Sequence, residues 1–250
     1  MKLKIFSQTG KGKVRHNNED CIMVPGFLLQ DETNPLLLDL DLESWCVAVC
    51  DGIGGGKAGE IASKYLASAF QKLNNWSSDS IYNLLKLSNI EILEKFKNNS
   101  NTLGMGSTIA GIACENNQIV AFNVGDSRVY KINDGYLEQI TKDDTAHQIL
   151  SGIGDSDIRP SNQHSILQSI GGLTYYQDID PHIYPIKIKS RATFIVCSDG
   201  LTDLLNIDKM EEVIKYNTSI DNIGVKLFNA ALEAGGNDNI SIIVLEITNN

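Results

Sequence analysis

Four aspartates in this chain stand where short apolar segments begin or end. The run Cys46-Val47-Ala48-Val49-Cys50 ends in Asp51-Gly52, and Thr193-Phe194-Ile195-Val196-Cys197-Ser198 ends in Asp199-Gly200. Each is a β-prone segment that carries a carboxylate to a strand end, where glycine lets the backbone turn sharply. Asp126 follows the largely apolar segment 120–125, and Asp238 precedes the largely apolar segment 240–245. One such aspartate is an ordinary turn residue. Four of them gather oxygen ligands from distant parts of the chain, which is what a hard-metal site requires.

Two neighbouring runs bear on the same chemistry. Gly52-Ile53-Gly54-Gly55-Gly56-Lys57 invites a phosphate-loop reading. That motif needs glycine five positions before Gly56 and Ser or Thr after Lys57, where this chain has Asp51 and Ala58. With both positions failing, Asp51 is read as a metal ligand. The glycines then let backbone approach an ion and enter a helix, or simply make a flexible turn. The second run is Arg15-His16-Asn17-Asn18-Glu19-Asp20. In isolation it is a solvated turn. Beside the strand-end aspartates, Glu19 and Asp20 become candidate ligands, and Arg15 a candidate to grip phosphate with its planar fork.

The elements that must position these residues follow from periodicity. Alternation marks strands at 2–7 and 21–24, the second read as pairing with the first, and 45–50 reads as a buried strand. Residues 30–41 read as a loop. A helix is expected over 59–73 with Ile61, Tyr65, Ala69 and Leu73 on its apolar face. Another is expected over 79–97 with Ile81, Leu85, Ile92 and Phe96. Strands at 108–114, 118–124, 128–132 and 137–141, joined by tight polar turns, imply an antiparallel meander. Residues 142–164 are polar and aperiodic, the best candidate for a mobile lid. Strands return at 182–188 and 192–198. Helices follow at 209–215, with Asp208 as N-cap and Glu211 in its first turn, and at 221–234, capped by Gly235; the last strand is 240–247. Strands and helices are segregated rather than alternating, so antiparallel sheets covered by helices are expected.

Bulk composition narrows the class. The 250 residues are 42% hydrophobic, enough for a substantial core, and no linker-like stretch or internal repeat divides them. The net charge of −10 argues against a nucleic-acid partner, which recruits a basic face. No apolar run reaches membrane-span length, and the N-terminus alternates like a strand rather than a signal peptide, so a cytoplasmic protein is expected. Cys21, Cys46, Cys50, Cys114 and Cys197 form no CxxC pair and read as buried thiols, not disulfides or a zinc site.

The motifs taken together resemble the metal-dependent PP2C-type (PPM) serine/threonine protein phosphatases, in their compact bacterial form. Seven segments occur in family order over nearly the whole chain. They are Arg15-His16-Asn17-Asn18-Glu19-Asp20, Asp51-Gly52-Ile53-Gly54-Gly55 with Ala58-Gly59-Glu60-Ile61-Ala62-Ser63, Gly104-Met105-Gly106-Ser107-Thr108, Gly125-Asp126-Ser127-Arg128, Thr141-Lys142-Asp143-Asp144-Thr145, Ser198-Asp199-Gly200-Leu201-Thr202-Asp203 and Gly235-Gly236-Asn237-Asp238-Asn239-Ile240-Ser241. The resemblance implies an α+β fold, a four-layer αββα sandwich of two antiparallel sheets flanked by helices, as one domain over residues 1–250. It implies two Mn²⁺ or Mg²⁺ ions in a cleft at one edge. Asp51 would bridge them and Gly52 lend its carbonyl; Asp199 and Asp238 would hold one, and Asp20, with Glu19, the other through water. A third ion would use Asp126, Asp199 and Asp203. Arg15 matches the phosphate-binding arginine. The implied reaction is in-line attack on phosphoserine or phosphothreonine by a water between the two ions.

The chain departs from the family where a histidine general acid is usual, having Gly56 in one form's position and Ile53 in the other's. That leaves metal-bound water to protonate the leaving group. His147 and His164, in or beside the presumed lid, are read as incidental. The implied partners are phosphoproteins made by a serine/threonine kinase, and the enzyme would act as a monomer. A degenerate phosphatase that only binds phosphoprotein is the alternative from another class, and such domains typically lose metal aspartates that this chain keeps. A regulator that dephosphorylates one dedicated antagonist would share the chemistry.

Overall fold

A computed structural model describes residues 1–31, 34–54, 58–146, 165–217 and 219–249. The first six-stranded sheet runs β11 (Tyr136–Gln139), β10 (Arg128–Asn133), β14 (Arg191–Cys197), β15 (Ile240–Thr248), β1 (Lys2–Gly10) and β4 (Leu36–Asp41). The second runs β13 (His182–Ile186), β9 (Gln118–Val124), β8 (Ile109–Glu115), β5 (Trp45–Cys50), β2 (Cys21–Val24) and β3 (Phe27–Leu29). All their pairings are antiparallel. A small third sheet joins β12 (Ile170–Gly171), β7 (Gly106–Ser107) and β6 (Gly52–Ile53). Among the described residues the helices are α1 (Gly59–Gln71), α2 (Ser78–Phe96), α3 (Asp199–Thr202), α4 (Ile207–Lys215) and α5 (Ile220–Glu233).

Side-chain alternation shows the layering. In β5, Trp45, Val47 and Val49 enter a core shared with Phe194, Val196, Ile243 and Leu245 of the other sheet. Cys46, Ala48 and Cys50 enter a second core with Leu66 and Phe70 of α1 and Ile81 and Leu85 of α2. In β15, Ile242 and Val244 meet Leu227 and Phe228 of α5 in a third core. Both faces of each central strand are covered, so these strands read as unbroken apolar runs. This is the expected αββα sandwich. All five cysteines are buried and free.

Several local expectations are corrected. Residues 36–41, read as loop, form edge strand β4, whose half-buried and exposed positions alternate against β1. β2 pairs with β3 and β5, not with β1. The meander is interrupted, because β9 and β10 lie in different sheets and residues 125–127 carry the chain between them. On α1 the buried face is Ala62, Ser63, Leu66, Ala67 and Phe70, while Ile61 is 38% exposed. Small residues let the helix approach the sheet, and Phe70 stacks on Phe122 at 5.3 Å. On α4 the cap is Asn206, whose side chain accepts from Lys209 N at 3.0 Å, rather than Asp208. Glu211 instead accepts from Leu137 N at 2.9 Å, fastening α4 to β11. At the end of α5, Gly235 (φ +137°) and Gly236 (φ +56°) reverse the chain as expected. His147, His164, Gly55, Gly56, Lys57 and residues 147–164 of the presumed lid lie outside the described residues.

Candidate active site

The candidate carboxylates converge because of strand register. Asp51 follows β5 and Asp20 precedes β2, and Cys50 is paired with Cys21. Asp199 follows β14 and Asp238 precedes β15, and Cys197 is paired with Ile242. Asp126 lies in the crossover, where Arg128 is paired with Cys197. Thr108 N donates to the Asp51 carbonyl at 2.8 Å, and Ser198 N to the Ser241 carbonyl at 3.2 Å. The same end of both sheets therefore presents all five.

Asp20 is fully buried. The Ser198 hydroxyl donates to its Oδ2 at 2.8 Å and itself accepts from Ser241 N at 3.1 Å. Its other oxygen, Oδ1, is buried without a partner, as is Oδ1 of Asp126. Burial, reinforced by Asp199 and Asp238, pushes the Asp20 carboxyl up to about 7. Burial and the charge of Asp199 raise Asp126 to about 7. Asp51 is driven well above the usual carboxylate range by burial and by Asp20, Asp199 and Asp126. Its carboxyl shares a hydrogen bond with Asp199. Asp199 is itself raised by burial, while that bond draws it down. Asp203 stands one helical turn later, its N–H donating to the Asp199 carbonyl at 2.7 Å, and its charge acts on Asp199.

Glu19 occupies the flank. Its backbone carbonyl accepts from Gly52 N at 3.1 Å and the Ser63 hydroxyl at 2.5 Å, and its N–H donates to Asn239 Oδ1 at 2.8 Å. Its carboxyl lies against the first residue of α1, where a Cβ on Gly59 would be 2.7 Å from Oε2. Burial and then Glu60 raise it. Gly52 is buried, with no room for a side chain, since a Cβ would meet the Gly59 carbonyl oxygen at 2.2 Å. Arg15 is exposed, and its Nη2 meets Asp238 Oδ2 at 2.6 Å. That bond holds the guanidinium in its charged form even more firmly than usual.

The donor set suits hard cations. It is all oxygen, crowded beyond what neutral packing tolerates, and carries orphaned buried carboxylate oxygens on Asp20 and Asp126. The side chains do not form a closed cage as they stand: among the described residues no three His, Cys, Asp or Glu side chains surround one point. Asp51 leans on Asp199 and Asp238 on Arg15 instead.

Three further residues, to which the sequence alone assigns no role, hold this site. Ser198 and Ser241 fix Asp20. Asn239 ties the Glu19 backbone to its own loop and donates to the carbonyls of Lys11 and Asn17. Each is a direct or near neighbour of a candidate aspartate, and that adjacency was the available signal. A further wall is set by β6. Ile53, the residue after Gly52, lines a cavity of about 180 Å³ with Ile166, Leu167, Leu173 and Ile179. Asn89 of α2 holds that segment, accepting from Gly171 N and donating to the Gln177 carbonyl, both at 2.8 Å.

Comparison with known proteins gives a consistent result. The protein phosphatase 2C family profile matches residues 24–232. The serine/threonine protein phosphatase PstP of Mycobacterium tuberculosis is 28% identical over 256 residues, covering 98% of this chain. The chain spans only 45% of that relative's length. The serine/threonine phosphatase stp of Listeria monocytogenes is 28% identical, covering 96% of this chain and 94% of the relative. Among solved structures, the M. tuberculosis PstP/Ppp phosphatase superposes with a TM-score of 0.80 at 25% identity over all of both chains. The PstP catalytic domain in complex with two manganese ions gives 0.78 at 26% identity, again over all of both chains.

Proposed function

The chain belongs to the protein phosphatase 2C family, and on that premise we propose that it hydrolyses phosphoserine and phosphothreonine in proteins with the aid of Mn²⁺ or Mg²⁺. The observation that carries this is the meeting of Asp20, Asp51, Asp126, Asp199 and Asp238 at one sheet edge, two of them with orphaned buried oxygens. Asp51, Asp199, Asp238 and the Gly52 carbonyl, with Asp20 and Glu19 on the other side, would hold two ions, and Asp126, Asp199 and Asp203 a third. Hard divalent cations so placed supply Lewis acidity, lowering the pKa of water and neutralising phosphoryl charge.

The chain's own residues do the positioning. Ser198 and Ser241 keep the Asp20 carboxylate facing Asp51 and Asp199. Arg15, exposed at the rim, presents the fork that suits a phosphoryl group. The relatives named serine/threonine phosphatases, and the solved catalytic domain described with two manganese ions, support the reading. Residues 1–250 are read as one such domain, acting as a monomer in the cytoplasm on products of a serine/threonine kinase. No helix among the described residues is long and apolar enough to cross a membrane.

Two measurements test the proposal. Purified protein should release phosphate from a phosphothreonine peptide with Mn²⁺ and not with chelator. Millimolar Mn²⁺ should raise the melting temperature of wild type clearly more than that of Asp51→Asn. Absence of manganese-dependent turnover defeats the activity; equal thermal shifts defeat the assigned site.

A further inference from the structure

We infer that residues 11–16 form a basic surface that reads acidic side chains flanking the phosphorylated residue of the substrate. The inference rests on the phosphatase reading and adds a substrate class to it. Lys11, Lys13, Arg15 and His16 lie within six positions, and all four are exposed. Three of the chain's 21 Lys and Arg residues thus fall between positions 11 and 15, in a protein of net charge −10. Arg15 pairs with Asp238. Lys11 and Lys13 have no carboxylate partner among the described residues.

These two ammonium groups sit on backbone fastened to the site. Lys13 N donates to the Gly236 carbonyl at 2.7 Å. Asn239 Nδ2 donates to the Lys11 carbonyl at 3.2 Å and the Asn17 carbonyl at 2.8 Å. Gly12, at φ +72°, lies so close to Asp238 that a Cβ would stand 2.2 Å from its carbonyl oxygen. The loop is therefore locked against the turn that carries Asp238.

Solvated, unpaired ammonium groups do little for the fold. Their place matters for approach. A phosphoprotein brings negative charge toward a site built of carboxylates in an acidic chain. Fixed positive charge at the rim offsets that repulsion and favours encounter with anionic segments. Asp and Glu beside the phosphoresidue are the groups that Lys11 and Lys13 would meet.

The test uses the full chain with Mn²⁺ and three peptides built around one phosphothreonine, flanked by Asp/Glu, by Gln/Ser or by Lys. At low ionic strength wild type should prefer the acidic peptide over the neutral one by about fivefold in kcat/KM, mainly through KM. The preference should shrink at high salt. In the double variant Lys11→Gln/Lys13→Gln it should fall to within about twofold, while p-nitrophenyl phosphate, which has no flanking residues, is turned over as by wild type. An undiminished preference in the variant, or a wild-type preference for the neutral or basic peptide, overturns the inference. If neither peptide nor ester is hydrolysed, it is the phosphatase reading that fails. Fluorescence anisotropy with the same peptides then decides the inference: tighter binding of the acidic peptide, lost in the variant, sustains it, and equal binding overturns it. Lysine-dependent binding to phosphatidylserine vesicles without discrimination among the peptides assigns the loop to a membrane and also overturns it.

Discussion

Replacing Asp20 by asparagine should stabilise the protein in chelator at pH 8 and weaken it when Mn²⁺ is supplied. Asp20 is wholly buried, and its carboxyl rises from an ordinary 3.8 to about 7. The folded state therefore holds the proton more tightly than the unfolded chain. The associated stability is fully present below about pH 4 and is lost as pH rises through about 7. A rise of that size corresponds to roughly 4 kcal/mol of cost for burying the charge at pH 8. Asparagine carries no charge and keeps an acceptor for the Ser198 hydroxyl, but its amide nitrogen takes the place of the unpartnered Oδ1. That buried donor returns about 1 kcal/mol of the gain. The net expectation for Asp20→Asn is about 3 kcal/mol, or a melting temperature higher by on the order of 10 °C in a chain of this length. Urea unfolding in EDTA at pH 4.5 and pH 8 measures it. The advantage should nearly vanish at the lower pH. A residual slope should remain in the variant, because Asp126 titrates over the same window. Saturating Mn²⁺ should reverse the order, since cations stabilise only the form that binds them. If wild type is the more stable protein in EDTA at pH 8, the reasoning about buried, uncompensated charge is wrong.

Three other substitutions probe the frame around the site. Gly200→Ala would place a Cβ 1.9 Å from the Asn239 carbonyl oxygen, so the turn behind Asp238 must move; thermal melts should fall by several degrees, and the Mn²⁺-induced shift should shrink with them. Leu66→Ala should cost about 2–5 kcal/mol in urea unfolding and Ile61→Ala less than about 1, because Leu66 is fully buried and Ile61 is 38% exposed; equal costs would contradict the assigned face of α1.

The layered architecture and the acidic centre were legible in sequence because both rest on short-range signals. A strand buried on both faces must be apolar throughout, and 45–50 and 194–197 are. A carboxylate at the end of such a strand has few places to go except the sheet edge. What the sequence hid depends on long-range pairing. Residues 36–41 look like a leucine-rich loop until β1 is present to pair with them. The apparent meander across 108–141 breaks at Gly125-Asp126-Ser127, a turn whose two flanks pair with different sheets. On α1, periodicity alone admits two faces about one residue apart. The real one is chosen by small side chains, Ala62 and Ala67, that hydrophobic counting undervalues. Ser198, Ser241 and Asn239 are ordinary polar residues whose purpose appears only when Asp20 and Glu19 arrive from 178 to 220 positions away.

The crossover at Asp126 shows why the site sits where it does. Inter-sheet packing between β5 and β14 or β15 is apolar along its length, so a carboxylate placed mid-strand would be buried without compensation. Only past the last paired residues, Cys50 with Cys21 and Cys197 with Ile242, does polar chemistry become affordable. There the backbone itself supplies the organisation: Thr108 N on the Asp51 carbonyl, Ser198 N on the Ser241 carbonyl, Gly52 N on the Glu19 carbonyl. These bonds fix the stems of the aspartates whatever the carboxylates do. The carboxylates can then repel one another without unravelling the strands that carry them, because those strands are anchored by apolar packing on both faces. A sandwich whose two sheets share an inner core, each covered by helices on its outer face, holds mutually repelling groups in register, and their repulsion is available to be relieved by cations.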